Sequence, residues 1–139
     1  GFFRERMEQW IRQAGLEEEV CIYGFTRQVT DIMGCADALI FPSKREGLGM
    51  AALEALSMGI PVLASDNRGT REYMEDGKNG FVCSCDDVGG FLRGLRKLQM
   101  MTEEDKAKMK QACRKSVERF DKKYSNAIMR DVYRELEQR

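Results

Sequence analysis

Residues 38–65, ALIFPSKREGLGMAALEALSMGIPVLAS, place two short apolar runs on either side of a glycine-containing loop and a helix-forming segment. The runs Ala38–Phe41 and Pro61–Ala64 are bounded by proline, serine or glycine and predict buried strands. Between them, the segment 50–58 holds mostly Ala, Leu and Met and stops at Gly59, which is typical of a helix C-terminus. A strand, a helix and a second strand in this order predict a βαβ unit, and therefore an α/β fold with parallel strands.

Strands and helices continue to alternate on both sides of this unit. Val20–Tyr23 and Gly80–Cys83 are further apolar runs next to glycines and predict two more buried strands. Helical spacing of apolar residues, with Asp86 or Asp87 and Thr102 as N-caps, predicts the remaining helices at 2–14, 29–36, 70–74, 88–98, 103–120 and from about 123 onward. We expect residues 1–120 to form one α/β domain and residues 121–139 to form a C-terminal helix.

The composition excludes several classes of protein and site. The chain has 139 residues, of which 42% are hydrophobic and 33% charged, and this excludes a disordered tail and a membrane span. Its 23 basic and 23 acidic residues balance, so a nucleic-acid partner is not expected. Because the sequence contains no histidine, it cannot form a histidine-ligated metal site or a Ser-His-Asp triad.

The charges are distributed unevenly along the chain. Residues 1–90 carry 9 basic and 15 acidic side chains, whereas residues 91–139 carry 14 basic and 8 acidic ones. A basic tail can contact an anionic membrane surface or a companion domain. A solvated helical face explains the same pattern, and we favour that interpretation.

The five cysteines are Cys21, Cys35, Cys83, Cys85 and Cys113. Their odd number and low density favour small buried side chains in a reducing compartment. Cys83 and Cys85 could also form a metal or redox pair, but the sequence offers no second pair and no histidine to complete a zinc site. We therefore expect five free thiols and no bound metal.

A lone carboxylate and a glycine-containing loop mark a candidate binding site. The helix 50–58 is apolar on nearly every face except at Glu54, so we expect this carboxylate to be buried and to bind a ligand or an internal partner. Gly47 and Gly49 precede this helix and allow backbone amides to approach a ligand closely. A helix N-terminus beyond the carboxyl end of a strand favours phosphate, although an ordinary turn before a helix has the same composition.

These pieces form one continuous pattern along the chain. The segments are Phe41-Pro-Ser43, Glu46-Gly-Leu-Gly49, Glu54-Ala55, Gly59-Ile-Pro-Val62 and Ala64-Ser65, followed by Glu72 and Asp76-Gly-Lys-Asn-Gly80. From about residue 5 to residue 120 the chain resembles the C-terminal, nucleotide-sugar-binding half of GT-B glycosyltransferases, specifically the retaining enzymes of family 4. The resemblance implies a Rossmann-like parallel sheet with flanking helices.

The resemblance also implies roles for individual residues. Glu54 would accept hydrogen bonds from the ribose hydroxyls of a nucleotide sugar. Glu46, the candidate catalytic residue, would lie against the donor sugar as a positioning and electrostatic group. The backbone of Gly47, Leu48, Gly49 and Met50 would contact the diphosphate or the sugar, and Gly24, Phe25 and Thr26 would line the base. No metal ion or other cofactor is expected beside the nucleotide-sugar donor.

By the same resemblance, the whole enzyme would transfer a sugar, with retention, from a nucleoside-diphosphate sugar to a glycan or a lipid-linked acceptor. It would be cytoplasmic, with the inner membrane face as a second location. The acceptor would be held by an N-terminal domain that is absent here, and the family's Arg and Lys phosphate clamp cannot be assigned. We therefore expect this chain alone to be inactive. A non-catalytic nucleotide-binding or regulatory module, and another GT-B enzyme such as a nucleotide-sugar epimerase, remain as alternatives.

In the family's strand order, Val20–Tyr23 is separated from the other strands by two strands that the chain lacks. We expect it either to move beside Ala38–Phe41 or to leave that edge loosely ordered. The three later strands are expected to pair with one another in parallel.

Overall fold

The computed structural model describes residues 2–137, so Gly1 and the last two residues of the predicted C-terminal helix lie outside it. The helices are α1 (Phe2–Ala14), α2 (Val29–Gly34), α3 (Met50–Met58), α4 (Val88–Gln99), α5 (Glu103–Val117) and α6 (Lys122–Glu137). The strands are β1 (Leu39–Phe41), β2 (Val62–Ser65) and β3 (Gly80–Cys83), and short 3-10 turns cover Thr70–Glu72 and Glu118–Phe120.

The three strands form a parallel sheet in the order β1-β2-β3. In this register Val62 of β2 lies opposite both Leu39 of β1 and Gly80 of β3. The predicted α/β class and the three paired strands are thus confirmed. Strand β2 begins at Val62 rather than at the predicted Pro61, because proline has no N–H to donate to the ladder.

Helices cover both faces of the sheet. On one face α3 lies between the sheet and α5, and their buried side chains form the main hydrophobic core: Ala52, Leu53, Ala55 and Leu56 of α3, Val62 and Ala64 of β2, and Met109, Cys113 and Val117 of α5. On the other face α4 approaches so closely that a Cβ on Gly94 would come within 2.8 Å of Leu63 Cδ2. Strand β2 is therefore the middle strand of the sheet and is covered by helices on both faces, and all four of its residues are buried.

The predicted strand Val20–Tyr23 is wrong. This segment is irregular, and both Val20 and Tyr23 are exposed. A strand needs a neighbouring backbone with which to pair its N–H and C=O groups. The amide of Val20 instead donates to the carbonyl of Leu16, 2.9 Å away, which is a local turn contact.

Helix α1 forms at the predicted residues, but its apolar face is not buried. Phe3 is 65% exposed and Trp10 is 54% exposed. The spacing of apolar residues therefore predicted the helix correctly, because helix formation depends on local pattern. Burial depends on what packs against the helix, and the core described above is built by other elements.

The cysteines also differ from expectation in their burial. Cys113 is fully buried in α5, whereas Cys21 and Cys35 are exposed, so the prediction of five buried side chains is wrong for these two. Cys83 and Cys85 are partly buried, and all five thiols are free. The predicted helix caps are confirmed: Asp87 accepts from the amide of Gly90, and Thr102 accepts from that of Asp105.

Candidate functional site

Two loops meet at the carboxyl edge of the sheet, where β1 and β2 end. Hydrogen bonds to one acceptor join them, because the carbonyl of Ser43 after β1 accepts from the hydroxyl of Ser65 and from Asn67 Nδ2, the latter at 2.9 Å. The loop after β1, residues 42–49, is thus fixed to the loop after β2. Ligands of open α/β sheets commonly bind at this edge.

A buried polar network makes the second loop rigid. Asn67 Oδ1 accepts from the amides of Gly69 and Thr70 at 3.0 and 3.1 Å, which forms an Asx turn. The Thr70 hydroxyl donates to the carbonyl of Ser65 at 2.7 Å and lies 3.1 Å from the amide of Asn67, from which it accepts. Our sequence analysis did not identify Asn67 or Thr70 as part of the site, although Asn and Thr soon after a strand are a recognised turn signal.

Close contact between the two loops requires glycine at Gly69. A Cβ at Gly69 would come within 2.8 Å of the backbone carbonyl oxygen of Glu46 and within 3.0 Å of that of Gly47. The backbone of Glu46 and Gly47 therefore rests directly on the second loop. The segment expected to bind the donor therefore packs against a loop whose own conformation is fixed by hydrogen bonds.

Gly49 forms the N-cap of α3 in the left-handed conformation, with φ +81°. Its carbonyl accepts from the amides of Ala52 and Leu53 at 3.0 and 3.2 Å. Among residues 2–137, no hydrogen bond uses the amides of Met50 or Ala51. Two N–H groups at the positive end of a helix thus remain free, and this arrangement attracts an anion.

Glu54 is exposed, so the predicted burial of this carboxylate is wrong. Helix α3 buries the residues on either side of Glu54, but Glu54 itself lies on the solvent-facing stripe with Met50 and Ser57. Within the described part of the chain its carboxylate takes part in no ion pair or hydrogen bond. Burial therefore gives no argument that Glu54 binds a ligand, but its carboxylate is free to accept hydrogen bonds from one.

Glu46 is half-buried, and Leu48 of the same loop is half-buried as well. Burial, and secondarily the charge of Glu46, raise the pKa of the Tyr73 phenol to about 12. Glu46 therefore lies near a tyrosine that the sequence analysis did not identify. Lys44, on the same loop, forms an exposed 3.0 Å ion pair with Asp86 after β3, and this contact lowers the pKa of Asp86.

The segment Gly24-Phe25-Thr26, expected to line the base, lies in the irregular stretch between α1 and α2. Gly24 lies beside α1, with the guanidinium of Arg4 3.6 Å from the position of an added Cβ. Phe25 is 95% exposed, and the Thr26 hydroxyl accepts from the amide of Gln28 in a local turn. Between this segment and loop 42–49 the structure shows no hydrogen bond or ion pair in the described residues.

Two further features concern metals and membranes. Among the described residues, Asp, Glu and Cys side chains form no group of three or more that could hold a metal ion. No helix within residues 2–137 is both long enough and apolar enough to span a membrane.

At the amino edge of the sheet, opposite the two loops, a groove of about 880 Å³ lies between Cys35, Met58 and Arg114.

Comparison with known proteins identifies relatives of this chain. The model of the family "Glycosyl transferases group 1" matches residues 1–116. One relative is EpsD of Bacillus subtilis (strain 168), which is named as a glycosyltransferase. EpsD is 37% identical to this chain over 133 residues, which are 96% of this chain and 35% of EpsD.

Solved structures share the fold. The sucrose-phosphate synthase of Thermosynechococcus elongatus superposes with a TM-score of 0.85 at 22% identity, over 98% of this chain and 35% of that one. Anabaena Alr3699/HepE in complex with UDP and glucose gives a TM-score of 0.81 at 23% identity, over 97% and 36%. The chain thus spans about a third of the length of these proteins.

Proposed function

This chain belongs to the glycosyl transferases group 1 family, and from that premise we propose that it forms the donor-binding part of a longer enzyme. The enzyme would transfer a hexose from a nucleoside-diphosphate sugar to an acceptor with retention of configuration. The free amides at the start of α3, four residues after Glu46 and with Glu54 one turn further along the helix, are the observation that carries the proposal.

The chemistry of glycosyl transfer explains why such a helix start is useful. When the bond to the sugar breaks, negative charge develops on the diphosphate that leaves. Fixed N–H donors stabilise this charge without having to reorganise during the reaction. The amides of Met50 and Ala51 supply such donors, and the left-handed Gly49 sets their position. We assign contacts with the diphosphate or sugar to the backbone of Gly47, Leu48, Gly49 and Met50.

The two carboxylates receive different roles in this proposal. A carboxylate accepts paired hydrogen bonds from neighbouring hydroxyls of a sugar or ribose. We assign the ribose to the exposed Glu54, which lies one turn beyond the helix start. We assign the donor sugar to Glu46, as a positioning and electrostatic group.

The base and the acceptor would be bound by other parts of the enzyme. The exposed ring of Phe25 offers a stacking surface for the base, with Gly24 and Thr26 beside it. We propose that a glycan or lipid-linked acceptor binds to a part of the enzyme outside this chain, and that no metal ion takes part. HepE was solved with UDP and glucose, which supports a nucleotide sugar as the donor.

Calorimetric titration of the full-length protein with UDP, GDP and ADP tests this proposal. Removing a charged hydrogen-bond acceptor costs about 1.5–3 kcal/mol, so Glu54→Gln should weaken binding of the preferred nucleotide roughly 10- to 150-fold. Glu46→Gln should leave this affinity within about twofold but reduce sugar transfer, since Glu46 is assigned to the sugar. Glu118→Gln, an exposed carboxylate on the 3-10 turn after α5, is the matched control.

Two results would contradict the assignments. If wild-type protein binds none of the three nucleotides, the donor-binding function is wrong. If Glu46→Gln weakens nucleotide binding as much as Glu54→Gln does, the division of roles between the two carboxylates is wrong. Nucleotide binding without transfer to any acceptor would instead indicate a non-catalytic module.

A further inference from the structure

The hydroxyl of Tyr73 is buried without a hydrogen-bond partner, and it is alone in this among the buried side-chain polar atoms of the described residues. Tyr73 is only 3% exposed, and its ring packs edge-on against Phe120 with the ring centroids 6.1 Å apart. A phenylalanine would make the same packing contacts without burying an unpaired hydroxyl. Buried polar groups in proteins are nearly always paired, so this exception needs an explanation.

The hydroxyl lies at the candidate donor site. Tyr73 Oη is 2.9 Å from the position that a Cβ on Gly49 would occupy, which places it directly under the start of α3. Other buried polar groups lie nearby, and all of them are hydrogen-bonded: the hydroxyls of Ser65 and Thr70 and the side-chain amide of Asn67. The unpaired group is therefore confined to the point where loop 42–49 meets the helix.

An unpaired acceptor of complementary chemistry lies on the same loop, 42–49. Glu46 is half-buried, and no hydrogen bond or ion pair within the described residues uses its carboxylate. Its charge acts on Tyr73 strongly enough to contribute to the raised pKa of that phenol. At neutral pH the phenol thus keeps its proton and can donate it in a hydrogen bond.

We propose that Tyr73 is a positioning residue for Glu46: in the donor-bound state its hydroxyl donates to the Glu46 carboxylate and holds that group against the donor sugar. The inference rests on the proposed role of Glu46 toward the sugar. Tyr73 is shielded from solvent, so we assign it no contact with the substrate itself. The hydroxyl has no partner in this structure, and we expect the Glu46 carboxylate to come within hydrogen-bonding distance of it when the donor binds.

Tyr73→Phe in the full-length protein separates this role from simple packing, since it removes the hydroxyl and keeps the ring. Tyr124→Phe, at an exposed tyrosine of α6, is the matched control. The probes are UDP, GDP and ADP with their glucose derivatives, and the pair that wild-type protein binds best is used. The melting temperature without ligand is measured in parallel.

We expect Tyr73→Phe to melt at the same temperature as wild type or higher, because it loses only an unpaired buried hydroxyl. Affinity for the nucleoside diphosphate should stay within about twofold, while affinity for the nucleotide sugar should fall roughly 10- to 150-fold. In a double-mutant cycle with Glu46→Ala, the second substitution should add little, because both remove the same hydrogen bond.

Equal affinity of Tyr73→Phe and wild type for the nucleotide sugar would overturn the inference and leave the proposed function intact. A clear drop in the ligand-free melting temperature would also overturn it, since the hydroxyl would then have a partner before the donor binds. If wild type binds no nucleotide, the proposed function fails first and the inference fails with it.

Discussion

Substituting Gly49 by alanine tests the geometry on which the candidate site depends. Gly49 has φ +81°, a region that side-chain-bearing residues adopt only at a cost. A Cβ here would lie 2.9 Å from Tyr73 Oη and 3.0 Å from a ring carbon of Phe41. Both neighbours are aromatic side chains packed at the core, so neither can rotate away freely.

The expected loss of stability has two parts. The left-handed conformation costs an alanine about 1–2 kcal/mol. Forcing one extra carbon into a packed core costs about 1–3 kcal/mol more. Gly49→Ala should therefore reduce the free energy of unfolding by about 2–5 kcal/mol.

Gly77→Ala is the matched control, because Gly77 has φ +75° and nothing within 4 Å of its added Cβ. It should show only the conformational cost of about 1–2 kcal/mol. Native-state hydrogen exchange with mass-spectrometric detection, read on peptides that cover Val62–Ser65, gives the opening free energy of both variants in the full-length protein. If Gly49→Ala costs no more than Gly77→Ala, the crowding under the start of α3 is not as described here.

Three further predictions concern other parts of the structure. Asn67→Ala should reduce the opening free energy of the same peptides by about 2–3 kcal/mol, because the amide of Thr70 and the carbonyl of Ser43 lose their partner. Asn126→Ala, on the exposed part of α6, is the control and should change this free energy little. The pKa of Tyr73 is about 12 in the folded protein against 10.0 for a free phenol, so the contribution of Tyr73 to folding stability should be constant below pH 10 and fall as the pH rises toward 12. Denaturant unfolding should show wild type losing about 2 kcal/mol more than Tyr73→Phe over this interval, and equal losses would show that the phenol is not desolvated. In timed thiol labelling of native protein, exposed Cys35 should react quickly and Cys113 slowly, since Cys113 is buried and its pKa is raised to about 11; all five thiols should react after unfolding under non-reducing conditions.

The parts of the fold that local sequence determines could be predicted. Helix α3 begins and ends where expected, because Gly49 and Gly59 are both needed in the left-handed conformation at its ends. Asp87 and Thr102 cap their helices through hydrogen bonds to amides three residues away. The order of the three paired strands follows from the βαβ pattern.

The predictions that were wrong concern features that depend on residues far apart in the chain. Val20–Tyr23 has the composition of a strand, but a strand forms only beside a partner, and none pairs with it in the described residues. Glu54 was expected to be buried because its helix is apolar, yet it lies on the stripe of the helix that faces solvent. The contacts of Asn67 with Ser43, and of Tyr73 with Gly49, join segments about 24 residues apart, so no local pattern could reveal them.

The position of a bound nucleotide tests the central proposal most directly. A crystal structure of the full-length protein with its preferred nucleoside diphosphate should show the ribose hydroxyls within hydrogen-bonding distance of Glu54 and the diphosphate against the amides of Met50 and Ala51. A nucleotide in the groove at the opposite edge of the sheet, beside Cys35 and Arg114, would contradict it. A nucleotide at the carboxyl edge that leaves Glu54 free in solvent would retain the site and refute the role assigned to Glu54.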